Sequence, residues 1–126
     1  MAKENILLDK SYNFALRIVK LYKYLVEEKK EYVLSKQILK SGTSIGANIN
    51  EAQSGETMND FIHNLGISLK ELKETSYWLR LLKDSGYIEE KSFNSIYKDN
   101  EEILKIITKI IKTSRKNNEK TKDNNS

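Results

Sequence analysis

Cysteine is absent from the 126-residue chain, which excludes disulfide bonds, thiolate metal sites and a cysteine nucleophile. A protein without disulfides suits a reducing compartment, so we expect it in the cytoplasm. Proline is also absent and glycine occurs only five times, so long segments can stay helical without interruption. Apolar residues make up 38% of the chain and charged residues 32%, which supplies one hydrophobic core and a highly charged surface.

Long apolar runs are missing as well. No run approaches the roughly 18 residues that a membrane-spanning helix needs. The N-terminal sequence MAKENILLDK lacks the apolar core of a signal peptide. We therefore expect no membrane partner.

Histidine occurs once, which excludes the paired Glu-x-x-His motifs of a di-iron bundle. Phosphate-binding loops of the Walker or dinucleotide type are also absent. The single histidine, His63, follows Asp60 by three residues, a spacing that suits a general acid–base pair on one helical face. No candidate nucleophile accompanies the pair, which favours a surface histidine beside a capping aspartate. We expect no catalytic residue, no metal site and no cofactor.

The net charge of +4 is unevenly distributed along the chain. Residues 1–102 contain 15 Lys or Arg against 16 Asp or Glu, a net of −1, whereas residues 103–126 contain 7 against 2, a net of +5. A basic C-terminal segment favours polyanions or an acidic protein through electrostatic steering and counterion release. A solvated, solubilising tail is the alternative interpretation.

Four segments show helical periodicity, and none shows sustained strand alternation. Their short connections favour antiparallel neighbours, so the predicted fold class is all-α, an antiparallel up-down-up-down four-helix bundle formed by residues 1–114. Residues 115–126 contain no apolar side chain, which predicts a disordered basic and polar tail. The predicted helices cover residues 5–29, 35–54, 58–84 and 92–114.

Local signals mark the helix ends and the core. Ser35 and Ser92 are candidate N-caps, and Thr57 with Asp60 resembles a capping box. The pair Ser85-Gly86 predicts the end of the third helix. A second apolar row on the first helix comprises Leu8, Tyr12, Ala15, Val19, Tyr22 and Val26. The predicted core rows comprise Leu7, Phe14, Ile18, Leu21 and Leu25; Ile38, Gly42, Ile45, Ile49 and Ala52; Ile62, Leu65, Leu69, Leu72 and Leu79; and Phe93, Ile96, Ile103, Ile107 and Ile110.

The second helix has an unusual polar row beside a narrow apolar row rich in small residues, which predicts close packing. The polar row consists of Gln37, Ser41, Ser44, Asn48 and Glu51. The third helix offers a matching row, and Arg17 of the first helix is long enough to reach its carboxylates. The rows predict either a hydrogen-bonded network inside the bundle or between subunits, or the lining of a ligand site. The matching row consists of Asp60, Asn64, Ile67, Glu71, Glu74, Trp78 and Leu81.

Basic residues form rows on the last two helices, and such rows are able to follow a phosphate backbone. They are equally typical of an ordinary solvated face, and Glu102 interrupts the row on the fourth helix. Tyr77 shares the basic face of the third helix, where it is placed to stack on a base. The candidate nucleic-acid-binding residues are Lys70, Lys73, Arg80, Lys105, Lys109, Lys112, Arg115 and Lys116.

The stretch SKQILKSGTSIGANINEA, from Ser35 to Ala52, resembles the signature of the bacterial four helix bundle protein family, also called the 23S ribosomal RNA intervening-sequence protein family. The flanking sequences KSYNFALRIVKLYKYL and DFIHNLGISLKELKETSYWLRLLKDSGYI agree in order and spacing, so the resemblance covers about residues 5–113. Positions that match the family pattern, interpreted as determining fold and assembly, are Arg17, Gln37, Ser41, Ser44, Ile45, Asn48, Glu51, Asp60, Phe61 and Glu74.

The resemblance implies an antiparallel bundle that assembles into a homopentamer, and it brings no catalytic residues. A similar group of proteins serves diversity-generating retroelements, which implies RNA or DNA and a reverse transcriptase as partners. Lys40 stands where an arginine is frequent, which keeps the charge and loses bidentate geometry. Acidic residues among the basic ones on the last two helices weaken the expectation of a strongly basic barrel.

Two functions follow as hypotheses. The first is a non-enzymatic, oligomeric protein that binds nucleic acid, either ribosomal RNA or retroelement RNA or DNA, through basic outer helix faces. The alternative is a protein-interaction scaffold without a nucleic-acid role. Both include a homo-oligomer, because Trp78, Leu81 and the second apolar row of the first helix expose more apolar surface than one thin bundle needs.

Overall fold

The computed structural model describes the backbone of residues 2–125 and the side-chain surroundings of residues 6–121. Met1 and Ser126, which fall in the predicted domain and tail, lie outside the described residues. The described chain contains no strand. Its four helices are α1 (Ala2–Glu27), α2 (Leu34–Gln53), α3 (Met58–Asp84) and α4 (Glu90–Asn125).

The helices pack in sequence order around one core, which confirms the predicted all-α four-helix bundle. Helix α2 contacts both α1 and α3, α3 contacts α4, and a less extensive contact between α1 and α4 completes the bundle. The connections span residues 28–33, 54–57 and 85–89, short enough to place consecutive helices antiparallel.

The core is the one that helical spacing predicts. Leu21 and Leu69 are only partly buried, while the other apolar side chains of the four rows are buried. Each large side chain in this set stabilises the fold by about 1.5–3 kcal/mol on burial. The most deeply buried large side chains include Phe14, Ile18, Ile38, Ile45, Leu65, Leu72, Leu79 and Ile103.

Helix α2 lies close to α1 because two of its inward positions are glycine. A Cβ atom added at Gly42 would stand 2.7 Å from Ile18 Cγ1, well inside van der Waals contact. At Gly46 the added atom would stand 3.4 Å from Ser11 Oγ and 3.5 Å from the Ser11 carbonyl oxygen. The small residues of α2 therefore bring α1 near, and Gly42 is the tighter of the two contacts.

The start of α2 differs from the prediction. Val33 occupies the N-cap position and has no polar side-chain group, and Ser35 is buried inside the first turn with its Oγ unpartnered among the described residues. The Glu31 carboxylate caps the helix instead, accepting the backbone N–H groups of Val33, Leu34 and Ser35 at 3.2, 3.0 and 2.7 Å. One carboxylate reaches three unsatisfied donors where a serine hydroxyl satisfies one.

Helices α1 and α3 are each followed by a residue with a positive φ, which is lysine in one case and glycine in the other. The chain leaves α3 through Gly86, whose φ of 85° suits glycine, as Ser85-Gly86 predicts. It leaves α1 through Lys30, whose φ is 55°, and the Glu31 N–H then donates to the Leu25 carbonyl at 2.9 Å. Thr57 Oγ1 accepts the Asp60 N–H at 3.1 Å, which confirms the predicted cap of α3.

Helix α4 is longer than the sequence predicts at both ends. It begins at Glu90, so Ser92 lies inside its first turn and is not the N-cap. It continues to Asn125, where a disordered tail is predicted from Arg115 onwards. No proline or glycine occurs after Gly86 to stop the helix, and lysine and glutamate favour its continuation. Asn118 Nδ2 also donates to Asn59 Oδ1 of α3 at 3.0 Å.

Candidate assembly and nucleic-acid interfaces

The members of the polar row of α2 differ in how deeply they are buried. Ser41 is buried, and its hydroxyl is hydrogen-bonded to that of Thr75 on α3 at 2.9 Å. Ser44 and Asn48 are half-buried, and each donates back to its own helix, at 2.6 Å to the Lys40 carbonyl and at 2.8 Å to the Ser44 carbonyl. Gln37 and Glu51 are exposed. Within one chain, the row therefore supplies only Ser41 to a buried network between helices.

Sequence reasoning missed three buried polar residues that join the helices. Thr75 Oγ1 also lies 2.8 Å from the Glu71 carbonyl oxygen, and Ser68 Oγ donates to the Ile45 carbonyl of α2 at 2.9 Å. Asn100 Nδ2 donates to the Leu72 carbonyl at 3.0 Å, while its Oδ1 is unpartnered among the described residues. The signal was available, because Asn100 fills the gap between Ile96 and Ile103 in the core row of α4.

The outward surface between α2 and α3 is called the α2/α3 face here. It is mixed in character, with half-buried apolar side chains among small polar groups and carboxylates. Trp78 is half-buried, and its Nε1 donates to Glu74 Oε1 at 3.4 Å. Asp60 and Glu74 are exposed. The face consists of Gln37, Lys40, Ser44, Asn48 and Glu51 from α2, and Asn64, Ile67, Glu71, Glu74, Trp78 and Leu81 from α3.

The carboxylate of Glu71 is perturbed on this face. Burial raises its pKa because desolvation disfavours the ionised carboxylate, and the negative charge of the neighbouring Glu74 raises the pKa further. The ammonium groups of Lys40 and Lys70 act in the opposite direction without cancelling the shift. Burial is the largest of these effects on the pKa of Glu71.

Arg17 does not reach the carboxylates of α3. Its Nη1 donates to Asp99 Oδ2 of α4 at 2.6 Å, and its Nη2 donates to Ser95 Oγ at 3.0 Å. Lys10 lies 3.3 Å from Glu102 on the same pair of helices. The side chains of Arg17 and Asp99 are 39% and 40% exposed, so the pair stabilises the α1–α4 contact by about 1 kcal/mol or less.

The basic residues predicted to bind nucleic acid are exposed in two groups. Lys70, Lys73 and Arg80 lie on α3, and the second group lies on α4. Lys105 and Lys116 are eleven residues apart, which at 1.5 Å per residue separates them by about 16 Å along one continuous helix. That length matches about five phosphates of one strand at 3.4 Å per step. The α4 row consists of Lys105, Lys109, Lys112, Arg115 and Lys116.

The described residues also include a single histidine and one groove between helices. His63 is exposed, as favoured from the sequence. Among the described residues, no three His, Cys, Asp or Glu side chains lie close enough together to hold a metal ion. A shallow groove of about 210 Å³ between α1 and α4 is lined by Ile6, Ile106, Lys109 and Ile110, of which only Lys109 is polar.

No helix in the described part of the chain combines the length and the apolar character that crossing a bilayer requires.

Comparisons with known proteins identify a family and a similar solved structure. The model of the 23S rRNA-intervening sequence protein family matches residues 3–109. The chain is similar to a crystal structure of a protein of unknown function from the S23 ribosomal protein family of Bacteroides thetaiotaomicron, with 55% identity and a TM-score of 0.87 over 87% of this chain and 98% of that one. No curated protein matches the chain significantly. The chain therefore belongs to the 23S rRNA-intervening sequence protein family.

Proposed function

We propose that the chain is a non-enzymatic, oligomeric bundle protein of the cytoplasm that binds nucleic acid through the outer face of α4. The observation that carries the proposal is the row of exposed basic side chains from Lys105 to Lys116 on one uninterrupted helix. Evenly spaced cations on a rigid rod follow a phosphate backbone without sequence specificity, because they replace condensed counterions.

A second basic group extends the proposed surface. Lys70, Lys73 and Arg80 are exposed on α3, next to Tyr77, whose ring is 51% exposed. Tyr77 packs edge-on against Trp78 with ring centroids 5.1 Å apart, which holds it in place as a platform for an unpaired base. The two groups lie on the consecutive helices α3 and α4, which pack against each other.

The test is binding measured across a salt series. We expect log affinity to fall linearly with log salt, with a slope of about 0.7–0.9 per phosphate contact. The triple variant Lys105→Gln, Lys109→Gln and Lys112→Gln should lose about tenfold or more in affinity at 0.1 M salt and lower the slope by about two to three, since each lysine neutralises one phosphate. Fluorescence anisotropy against structured RNA, single-stranded RNA and duplex DNA provides the measurement.

The matched control removes three exposed lysines that lie outside α3 and α4, Lys20→Gln, Lys29→Gln and Lys36→Gln. It changes the net charge by the same amount, so equal losses in both variants would show general attraction in place of a defined face. Binding that ignores salt, or no binding at low salt, contradicts the proposal.

A protein-interaction scaffold is the second candidate, and a reverse transcriptase is one partner to test. It is favoured by the exposed apolar side chains of α1, among them Tyr12 at 60% and Leu16 at 48% exposure. A scaffold predicts stable capture of one protein and no affinity for RNA or DNA at any salt concentration. The same anisotropy series therefore separates the two functions.

A further inference from the structure

The contact between α1 and α4 changes in character along its length. The ion pair of Lys10 and Glu102, at 3.3 Å, joins the two helices near the middle of α4. One helical turn further along α4 lies Ile106, and from there apolar side chains line the space between the helices. An apolar opening therefore follows the ion pairs, and it is the groove of about 210 Å³ lined by Ile6, Ile106, Lys109 and Ile110.

The walls of the groove are hydrophobic and reach the surface. Ile6 is 48% exposed, Ile106 is partly buried, and Ile110 is 7% exposed. Pockets for drug-sized ligands have volumes of about 300–1,000 Å³, so a groove of about 210 Å³ suits one smaller group. The groove is therefore shaped for a single flat or apolar group and is too small for a helix of a partner protein.

The basic row of α4 runs along one rim of this groove. Lys105, Lys109 and Lys112 are separated by four and three residues, a spacing that keeps them within about 60° on one side of the helix. Lys109 belongs to the row and also lines the groove. Asp9 is exposed on α1, three residues after Ile6. The two rims therefore differ in charge, and an anion is attracted to the α4 rim.

A nucleic-acid strand has the same division between a charged and a flat, weakly polar side. When its phosphates lie along the lysines of α4, its bases extend to one side of the row. In a duplex these bases are paired and stacked, and taking one out costs a few kcal/mol. In a single strand they are free to contact the protein, and binding combines a basic surface for the backbone with contacts to the faces of the bases.

We propose that the groove between α1 and α4 binds an unpaired nucleobase of a single strand whose phosphates lie on the basic row of α4. The inference rests on the proposed function and names its substrate class, single-stranded RNA or DNA. Lysines alone do not make this distinction, because they attract the phosphates of single strands and of duplexes. The apolar groove adds a contact that only an unpaired base can make, so the chain prefers single strands.

Ile6→Ser tests the groove, because it removes an apolar wall without changing the charge of the chain. Affinity for a single strand of about ten nucleotides should fall about three- to tenfold, while affinity for duplex DNA stays the same. The salt slope should also stay the same, since no phosphate contact is lost. Leu16→Ser is the matched control and should change neither affinity, because Leu16 is also 48% exposed on α1 but lies outside the groove. Fluorescence anisotropy provides the measurement.

An abasic strand of the same length makes the test specific for the base. It keeps every phosphate and lacks the bases, so the natural chain should bind it less tightly than the intact strand. Ile6→Ser should lose almost no affinity for the abasic strand, because the contact that the substitution removes is already missing. A double-mutant cycle between Ile6 and the bases should therefore give a coupling of about three- to tenfold. Circular dichroism verifies that each variant is folded.

Three outcomes would overturn the base site and leave the proposed function intact. The natural chain could bind the duplex as tightly as the single strand. Ile6→Ser and Leu16→Ser could lose equal affinity, which would show that neither residue contacts the strand specifically. Ile6→Ser could lose as much affinity for the abasic strand as for the intact one, which would show an effect on protein shape. Absence of any salt-dependent binding by the natural chain would overturn the base site and the proposed function together.

Discussion

Helices α2 and α4 differ in length and in the size and charge of the side chains on their outer sides. Helix α2 has 20 residues, approaches α1 through glycine, and presents small polar groups on its outer side. Helix α4 has 36 residues, buries a row dominated by isoleucine, and presents lysines to solvent. Close packing needs small side chains, whereas attraction of a polyanion needs long cationic ones. The difference is the reason why nucleic-acid binding is proposed for α4 and not for α2.

The largest expected effect comes from filling the close contact of α2. Gly42→Ala should lower the free energy of unfolding by about 1–3 kcal/mol, because the new Cβ atom collides with the buried Ile18 side chain. Urea denaturation followed by circular dichroism measures the change.

Gly66→Ala is the matched control on α3, where an added Cβ atom meets nothing within 4 Å. It should raise stability by about 0.5–1 kcal/mol through helix propensity. Equal effects of the two substitutions would remove the evidence for a close α1–α2 contact.

The cap of α2 should give the next largest effect. Glu31→Gln should destabilise the chain by about 1 kcal/mol at neutral pH, since the carboxylate accepts three backbone N–H groups. Burial raises the pKa of Glu31, but the N–H groups of Leu34, Ser35 and Val33 outweigh burial and the net pKa is lowered. Its contribution is therefore present above the unfolded pKa of about 4.3 and is lost as pH falls through the lower folded pKa.

Denaturation of the natural chain and of Glu31→Gln between pH 3 and pH 7 provides the measurement. The stability difference should shrink on acidification. Glu71→Gln is the contrasting control, because the pKa of Glu71 is raised and its protonation on acidification stabilises the fold. A stability gap at Glu31 that widens towards low pH would contradict the capping account.

Removal of either member of the buried hydroxyl pair, Ser41 and Thr75, should have an effect of similar size, and the two effects should be coupled. Ser41→Ala should cost about 1 kcal/mol, and so should Thr75→Val, because each removes a buried hydrogen bond between α2 and α3. The double variant should cost less than the sum, since neither hydroxyl is then left unpartnered. A double-mutant cycle by urea denaturation measures the coupling, and strict additivity would contradict it.

The smallest effect on stability is expected at the far end of α4. Ending the chain after Ser114 should change the free energy of unfolding by less than about 0.5 kcal/mol, since the residues described beyond Ser114 are exposed apart from Asn118. Affinity for nucleic acid should nevertheless fall, because Arg115, Lys116 and Lys120 are removed. Denaturation and the salt series on one protein preparation measure both quantities, and unchanged affinity would confine the binding face to residues before 115.

The sequence predicts most of the bundle because apolar spacing alone determines which side chains a helix buries. The bounds of α3 and its cap at Thr57 follow from such local signals. The cap of α2 by Glu31 could not be predicted in this way, because it depends on a loop that brings a carboxylate back to three amides. The partner of Arg17 is likewise decided by the angle at which α1 meets α4, and residue spacing within one helix does not contain that angle.

The features of the candidate site also differ in whether the sequence alone predicts them. Exposure of the α4 lysines follows from their position opposite the isoleucine row, so periodicity is sufficient to predict it. Which members of the polar row of α2 are buried could not be predicted from the sequence, because it depends on how α2 is oriented relative to α3. Ser41 faces Thr75 and is buried, whereas Gln37 and Glu51 reach the surface.

The molar mass in solution of the natural chain and of an α4 variant tests most directly whether the chain assembles independently of the basic face of α4. Light scattering coupled to size exclusion should give a multiple of the 14.7 kDa chain. The α4 variant with glutamine at positions 105, 109 and 112 should give the same mass, because its three changes replace only exposed side chains. A mass of 14.7 kDa for the natural chain, or loss of assembly in the α4 variant, would contradict the account.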